Sequence, residues 1–196
     1  KNSLEYFLLI GASATLGTML LPINWRLSAE EICFIVNDGQ PKLLFVDREY
    51  QELIQGLKGK LSSVGGYFGL DSKSGEFHDF NSLLDNPVDF HPVDISSDDG
   101  FVIIYTAAVA GRPRGGLLSH RNVLCADMHL DYFLNVTPKD IHLSYLPFFH
   151  VAGLFMATAS FHAGALSVSL KRFDAAMAVE LIQEKKISFM MDFAPV

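Results

Sequence analysis

Cysteine is almost missing: Cys33 and Cys125 are the only two in the chain. Both stand in helical patterns among apolar neighbours, so they read as two buried, reduced thiols, which fits the cytoplasm and excludes a small disulfide-stapled secreted domain. Positive charge is also scarce. Fifteen Lys and Arg against 22 Asp and Glu leave a formal net charge of −7, which excludes general affinity for nucleic acid or an anionic membrane surface, since both require a basic face. No long apolar run is unbroken. Residues 6–25 are interrupted by Gly11, Gly17 and Pro22, and residues 151–170 by Gly153 and Gly164, which suits helix, stop and buried strand better than a transmembrane helix. Lys1 with Ala12-Ser13-Ala14 imitates a signal peptide, but Glu5 occupies the region that should be positive. The P-loop spacing G-x-x-x-x-G-K-[ST], the dinucleotide fingerprint G-x-G-x-x-G and any metal-ligand spacing are absent as well.

What is present is enough for a core: 49% of the 196 residues are hydrophobic. The chain starts at Lys1-Asn2 without Met and stops at Pro195-Val196 inside an apolar run, which suggests a piece of a longer protein. Asn2 and Glu5 have capping-box spacing, and Phe7, Ile10 and Ala14 then recur at helical spacing up to Gly17. Residues 18–23 read as a buried strand. Ser28 and Glu31 open a second helix ending at Asp38-Gly39, and residues 42–47 form the next strand. A helix over 49–61 follows, then an irregular stretch with a strand within 64–70 and a short helix near 80–84.

Beyond the middle of the chain, 116–119 reads as a strand and Asn122 as the cap of a helix to about Asn135, with Val123, Ala126, Leu130 and Phe133 as its apolar stripe. Thr137-Pro138-Lys139-Asp140 breaks the pattern. Strands over 141–146, 165–170 and 187–193 alternate with helices over 151–162 and 174–186. Alternation with short connections implies parallel pairing. The expectation is an α/β fold of two subdomains, 1–135 and a truncated 136–196, with mainly parallel sheets flanked by helices. A faint echo links the two: strand, Arg26-Leu27-Ser28, helix and strand recur as strand, Arg172-Phe173-Asp174, helix and strand, by duplication or by chance.

The chain is organised around residues 99–116. An apolar strand runs into Ala107-Ala-Val-Ala-Gly-Arg-Pro-Arg-Gly-Gly116, and between Gly100 and Ala126 there is no Asp or Glu but Arg112, Arg114 and Arg121. Glycines that let backbone approach a ligand, beside guanidinium forks, suit a phosphate cradle. On spacing alone, a plain surface turn with solvated arginines is the favoured reading.

The segment Ile104-Tyr-Thr-Ala-Ala-Val-Ala-Gly-Arg-Pro-Arg-Gly-Gly-Leu-Leu-Ser-His-Arg-Asn122 resembles the phosphate-loop signature of the AMP-forming acyl-CoA synthetases of the adenylate-forming superfamily. That signature usually reads Tyr-Thr-Ser-Gly-Thr-Thr-Gly-x-Pro-Lys-Gly, then Ser-His-x-Asn. A second motif of the family is matched by Tyr145-Leu-Pro-Phe-Phe-His-Val-Ala-Gly153. Residues 2–47 and 173–195 also look like the family, so the likeness covers most of the chain. It departs at Ala107, Ala108, Val109 and Ala110, where the family has Ser, Gly, Thr and Thr. Three hydroxyl donors are missing there.

The resemblance implies the partial N-terminal domain of an enzyme that joins a carboxylic acid to CoA at the expense of Mg2+-bound ATP. It places Thr106, Gly111, Arg114 and Gly115 around the β- and γ-phosphates and His150 beside the acid as the residue of catalytic interest. A non-catalytic relative, holding an acyl ligand or a partner beside a degenerate ATP loop, is the alternative. A hydrolase built on Ser119 and His120 is disfavoured, because neighbours on a strand face opposite ways and no acid orients the histidine. The other five histidines read as structural or surface residues. This piece alone is expected not to turn over, and its uncovered apolar edges favour self-association.

Overall fold

The computed structural model describes residues 1–72, 74–85, 93–106 and 112–193. Its first helix, α1 (Leu4–Leu16), is capped by Ser3, whose Oγ accepts from the Tyr6 N–H at 3.2 Å. Asn2, the cap expected from the sequence, is buried and used elsewhere. Gly17 closes the helix with φ 63, a left-handed conformation that glycine adopts without strain. Helix α2 (Ala29–Gly39) opens on the Ser28/Glu31 capping box as the spacing predicts, and it buries Ile32, Ile35 and Val36.

Strands β1 (Leu43–Val46), β2 (Gly66–Gly69) and β3 (His78–Asp79) pair in parallel in that order, with α3 (Gln51–Leu57) between the first two. Strand β4 (Gly100–Tyr105) pairs with β5 (Gly115–Ser119) as an antiparallel hairpin, the exception to the parallel expectation. The connection between them is too short for a parallel crossover. Residues 18–23 do not form a full strand. Leu20 makes one parallel bridge to Val102, and Pro22, lacking an N–H, cannot extend it.

Helix α4 (His120–Leu134) begins at Ser119 rather than Asn122. The Ser119 Oγ accepts from the Asn122 N–H at 3.3 Å, and Asn122 Oδ1 accepts from the Ser119 N–H at 3.0 Å. Ser119 is thus committed to a helix cap, and the His120 ring rests against Phe101 at 4.9 Å. Strand β6 (Ile141–Ser144) pairs in parallel with β7 (Leu166–Ser169) across α5 (Val151–His162), and α6 (Ala175–Lys185) follows, capped by Asp174. The expected last strand contributes a single bridge, Phe189 to His142.

One apolar cluster joins Ile10, Phe101, Val102 and Val123 to Phe148, Leu154 and Ala157, so packing crosses the Thr137–Asp140 break. The stripe expected on α4 is partly displaced: Phe133 is 78% exposed, while Asp127 is buried and accepts from Thr158 Oγ1 at 2.7 Å. Cys125 is exposed, not buried, and Cys33 is half-buried; both are free thiols. The only tryptophan, Trp25, gathers three cations on its ring: Arg26 at 4.6 Å, Arg172 at 5.1 Å and Lys1 at 5.3 Å. The two echoing segments therefore meet there. No helix among the described residues is long and apolar enough to cross a membrane.

Candidate active site

The register of the hairpin opposes Tyr105 to Gly115. The ladder runs one step further, with the Thr106 N–H donating to the Arg114 carbonyl at 3.0 Å and the Thr106 hydroxyl reaching the same oxygen at 3.4 Å. Thr106, Arg114 and Gly115 are thus brought together at the open end of the hairpin. Gly111 and residues 107–110 lie outside the described residues. A Cβ at Gly115 would come within 2.8 Å of Ile103 Cγ2 and 3.1 Å of the Tyr105 ring, so the glycine makes room for that ring across the strands.

The arginines are not equivalent. Arg121 is spent on Asp98, with Nε 2.9 Å from one carboxylate oxygen and Nη2 3.0 Å from the other. Arg112 lies over the Phe34 ring at 5.6 Å. Arg114 is exposed, and its guanidinium has no hydrogen-bond or ion-pair partner among the described residues. Among the described residues the basic stretch read from the sequence therefore leaves one guanidinium without a partner, since Asp98 lies just outside its bounds.

His150 is the N-cap of α5, and its Nδ1 accepts from the Ala152 N–H at 3.2 Å. With Nδ1 used as an acceptor, the ring N–H is left to Nε2. The loop before it is tightly held. Asn2, 3% exposed, donates from Nδ2 to the Leu146 carbonyl at 2.9 Å and accepts at Oδ1 from the Phe148 N–H at 3.0 Å. The His150 N–H turns back to the Pro147 carbonyl at 3.0 Å. Any side chain at Gly153 would fall on the carbonyls of Leu146 and Pro147, which explains that position of the second motif.

His150 faces a cleft of about 370 Å³ with Arg26, Leu146, Pro147, Phe149 and Phe193. A larger cleft of about 590 Å³, on the side of Asn2, Phe161 and Lys171, holds none of the expected site residues. No hydrogen bond or ring contact links His150 to Thr106, Arg114 or Gly115 among the described residues. The two groups share the apolar cluster that joins β4 to Phe148 and α5. Sequence reasoning missed Asn2, Phe34 and Asp38, whose partners lie far away in the chain, and Arg26, which lines the His150 cleft.

A family model described as an AMP-binding enzyme matches residues 1–194. The chain belongs to this family. This AMP-binding family member is 31% identical over 197 residues to the fatty acid–[acyl-carrier-protein] ligase ScoC of Streptomyces coeruleorubidus, a match covering 96% of this chain and 36% of that protein. It is 30% identical over 189 residues to the long-chain-fatty-acid–CoA ligase FadD13 of Mycobacterium tuberculosis, covering 95% of this chain and 36% of that one. A solved structure from Rhodopseudomonas palustris, described as a candidate long-chain-fatty-acid CoA ligase, superposes with a TM-score of 0.93 at 38% identity, covering 100% of this chain and 49% of the other. The chain spans about a third of the length of these curated relatives.

Proposed function

We propose that this chain is the phosphate- and acid-holding part of an ATP-dependent carboxylic acid:CoA ligase. The observation that carries the reading is the meeting of Thr106, Arg114 and Gly115 at one hairpin end in a chain of the AMP-binding family. In the first half-step a carboxylate oxygen attacks the α-phosphorus of ATP, the α–β bridging bond breaks, and pyrophosphate leaves. In the second, the CoA sulfur attacks the acyl carbon, the bond to AMP breaks, and the thiol proton passes to solvent. The protein's part is positioning and charge stabilisation. The Thr106 hydroxyl, the Arg114 fork and backbone at Gly111 and Gly115 hold the β- and γ-phosphates, and His150 presents its Nε2 proton towards the acid; Gly111 is assigned by its motif position.

An exposed, unpartnered guanidinium fits a triphosphate. Among the described residues no group of three His, Cys, Asp or Glu is placed to hold a metal ion. Mg2+ bound with the nucleotide would supply charge neutralisation at the phosphates. We assign residues 1–135 to a first α/β subdomain and 136–196 to the start of a second, and the free thiols fit a cytoplasmic protein.

The loop composition favours a second reading, a non-catalytic relative that binds an acyl ligand or a partner. Ala107, Val109 and Ala110 lack the hydroxyls the resemblance leads one to expect. Pyrophosphate release by the full-length protein, with ATP and a panel of carboxylic acids, separates the two. Release with at least one acid is expected. A flat response across the panel, with an active synthetase run in parallel, leaves the binding role. Restoring the hydroxyls as A107S, V109T and A110T is expected to lower the KM for ATP by about tenfold or more.

A further inference from the structure

The loop that follows β4 is fastened at both ends to a single helix. At its start, Tyr105 Oη donates to Asp38 Oδ2 at 2.5 Å. Burial, reinforced by that hydrogen bond and the carboxylate's charge, pushes the Tyr105 phenol up to about 12, so it remains a donor at neutral pH. Towards its end, the Arg112 guanidinium lies 5.6 Å from the centre of the Phe34 ring, within cation–π range. Phe34 and Asp38 stand one helical turn apart on α2 and share a face.

That helix is itself immobilised. Its Ser28/Glu31 capping box is complete, and Ile32 and Val36 lock its opposite side into the core of the first sheet. One rigid surface therefore receives both flanks of the loop.

We propose that Phe34 and Asp38 are positioning residues for the triphosphate site: through Arg112 and Tyr105, α2 sets the spacing and direction of the loop ends, and so the pose in which Thr106 and Arg114 meet the phosphates. The inference rests on the ATP-binding reading above. It also gives the two arginines of the loop different tasks, with Arg112 as the tether and Arg114 as the ligand arm.

The test is the steady-state kinetics of the full-length protein with ATP and its carboxylic acid varied separately, together with calorimetric ATP binding. Phe34→Ala and Asp38→Ala are each expected to raise the KM and Kd for ATP by about two- to tenfold. The KM for the acid and the thermal midpoint should stay at their wild-type values. Phe34→Tyr keeps a ring beneath Arg112, and Asp38→Asn keeps an acceptor for Tyr105, so both should restore near-normal ATP affinity. Wild-type ATP affinity in both alanine variants overturns the inference, as does a parallel rise of both KM values with a lowered thermal midpoint. Wild-type protein that binds no ATP instead overturns the reading on which the inference rests, and the inference falls with it.

Discussion

Removing the Asn2 amide would leave the Leu146 carbonyl and the Phe148 N–H without their partner, in a loop where Asn2 and Phe148 are both buried. Asn2→Ala is therefore expected to destabilise the chain by roughly 2–4 kcal/mol, read as a lower urea midpoint at unchanged slope. Asn2→Asp keeps the acceptor for Phe148 but sets a carboxylate oxygen against the Leu146 carbonyl, and should be as harmful. None of this was legible in the sequence. Asn2 precedes a helix and looks like its cap, but Ser3 takes that task, and the true partners of Asn2 lie more than a hundred residues away. Gly153 was read as a break in an apolar run and as the end of the second motif, but the reason for a glycine there is set by two carbonyls that the chain folds over it. Ser119 was readable in kind but misplaced in role: the serine beside a histidine closes a helix terminus and keeps its hydroxyl engaged with Asn122.

Among the elements, helices were legible wherever a cap and an apolar period agreed, as at Ser28 and Asp174. Strand limits were less so, since Pro22 ends a pairing that its apolar neighbours suggest, and only the partner strand decides whether a bridge becomes a ladder. The α4–α5 contact escaped for another reason. Asp127 faces inward where the pattern favoured Phe133, because Thr158 on α5 is there to donate to it. Burial first of all, against the opposing effect of Thr158, raises the Asp127 carboxyl to about 6.

Its proton is thus held more tightly in the folded chain than in the unfolded one. The stability it confers is present below the unfolded value near 4 and is lost as pH rises through 6. His142 works in the opposite direction. Burial beside Phe189 lowers it to about 4, so its contribution is complete above the unfolded value of 6.5 and is lost as pH falls through 4. The two offset each other across the acid range. Asp127→Asn is expected to stabilise the chain by roughly 1–3 kcal/mol at pH 8 and by progressively less below pH 6. The same substitution should expose an acid sensitivity due to His142. Urea midpoints at pH 8, 6 and 4.5 check both, and a parallel shift at all three would refute the assignment.

For the molecule as a whole, the α/β class and the alternation of helices and strands were readable. The partition of the described residues into three small sheets was not, because it depends on contacts between distant segments. Large apolar side chains remain uncovered, among them Tyr132 at 79%, Phe133 at 78%, Phe161 at 71% and Leu4 at 70% exposure. We expect the 196-residue chain to self-associate at micromolar concentrations, seen as a concentration-dependent mass in sedimentation or light scattering. A monomer at all concentrations would show that these side chains are too scattered to act as one surface.

The crowding of Arg26, Arg172 and Lys1 over Trp25 gives the chain a natural optical reporter. A lone indole flanked by charges drawn from the beginning and the end of the polypeptide changes its emission when either region lets go. Intrinsic fluorescence then follows the closing of the whole chain, while circular dichroism follows its helices. Agreement of the two melts marks a single cooperative unit across the Thr137–Asp140 break, and divergence marks the first part to open.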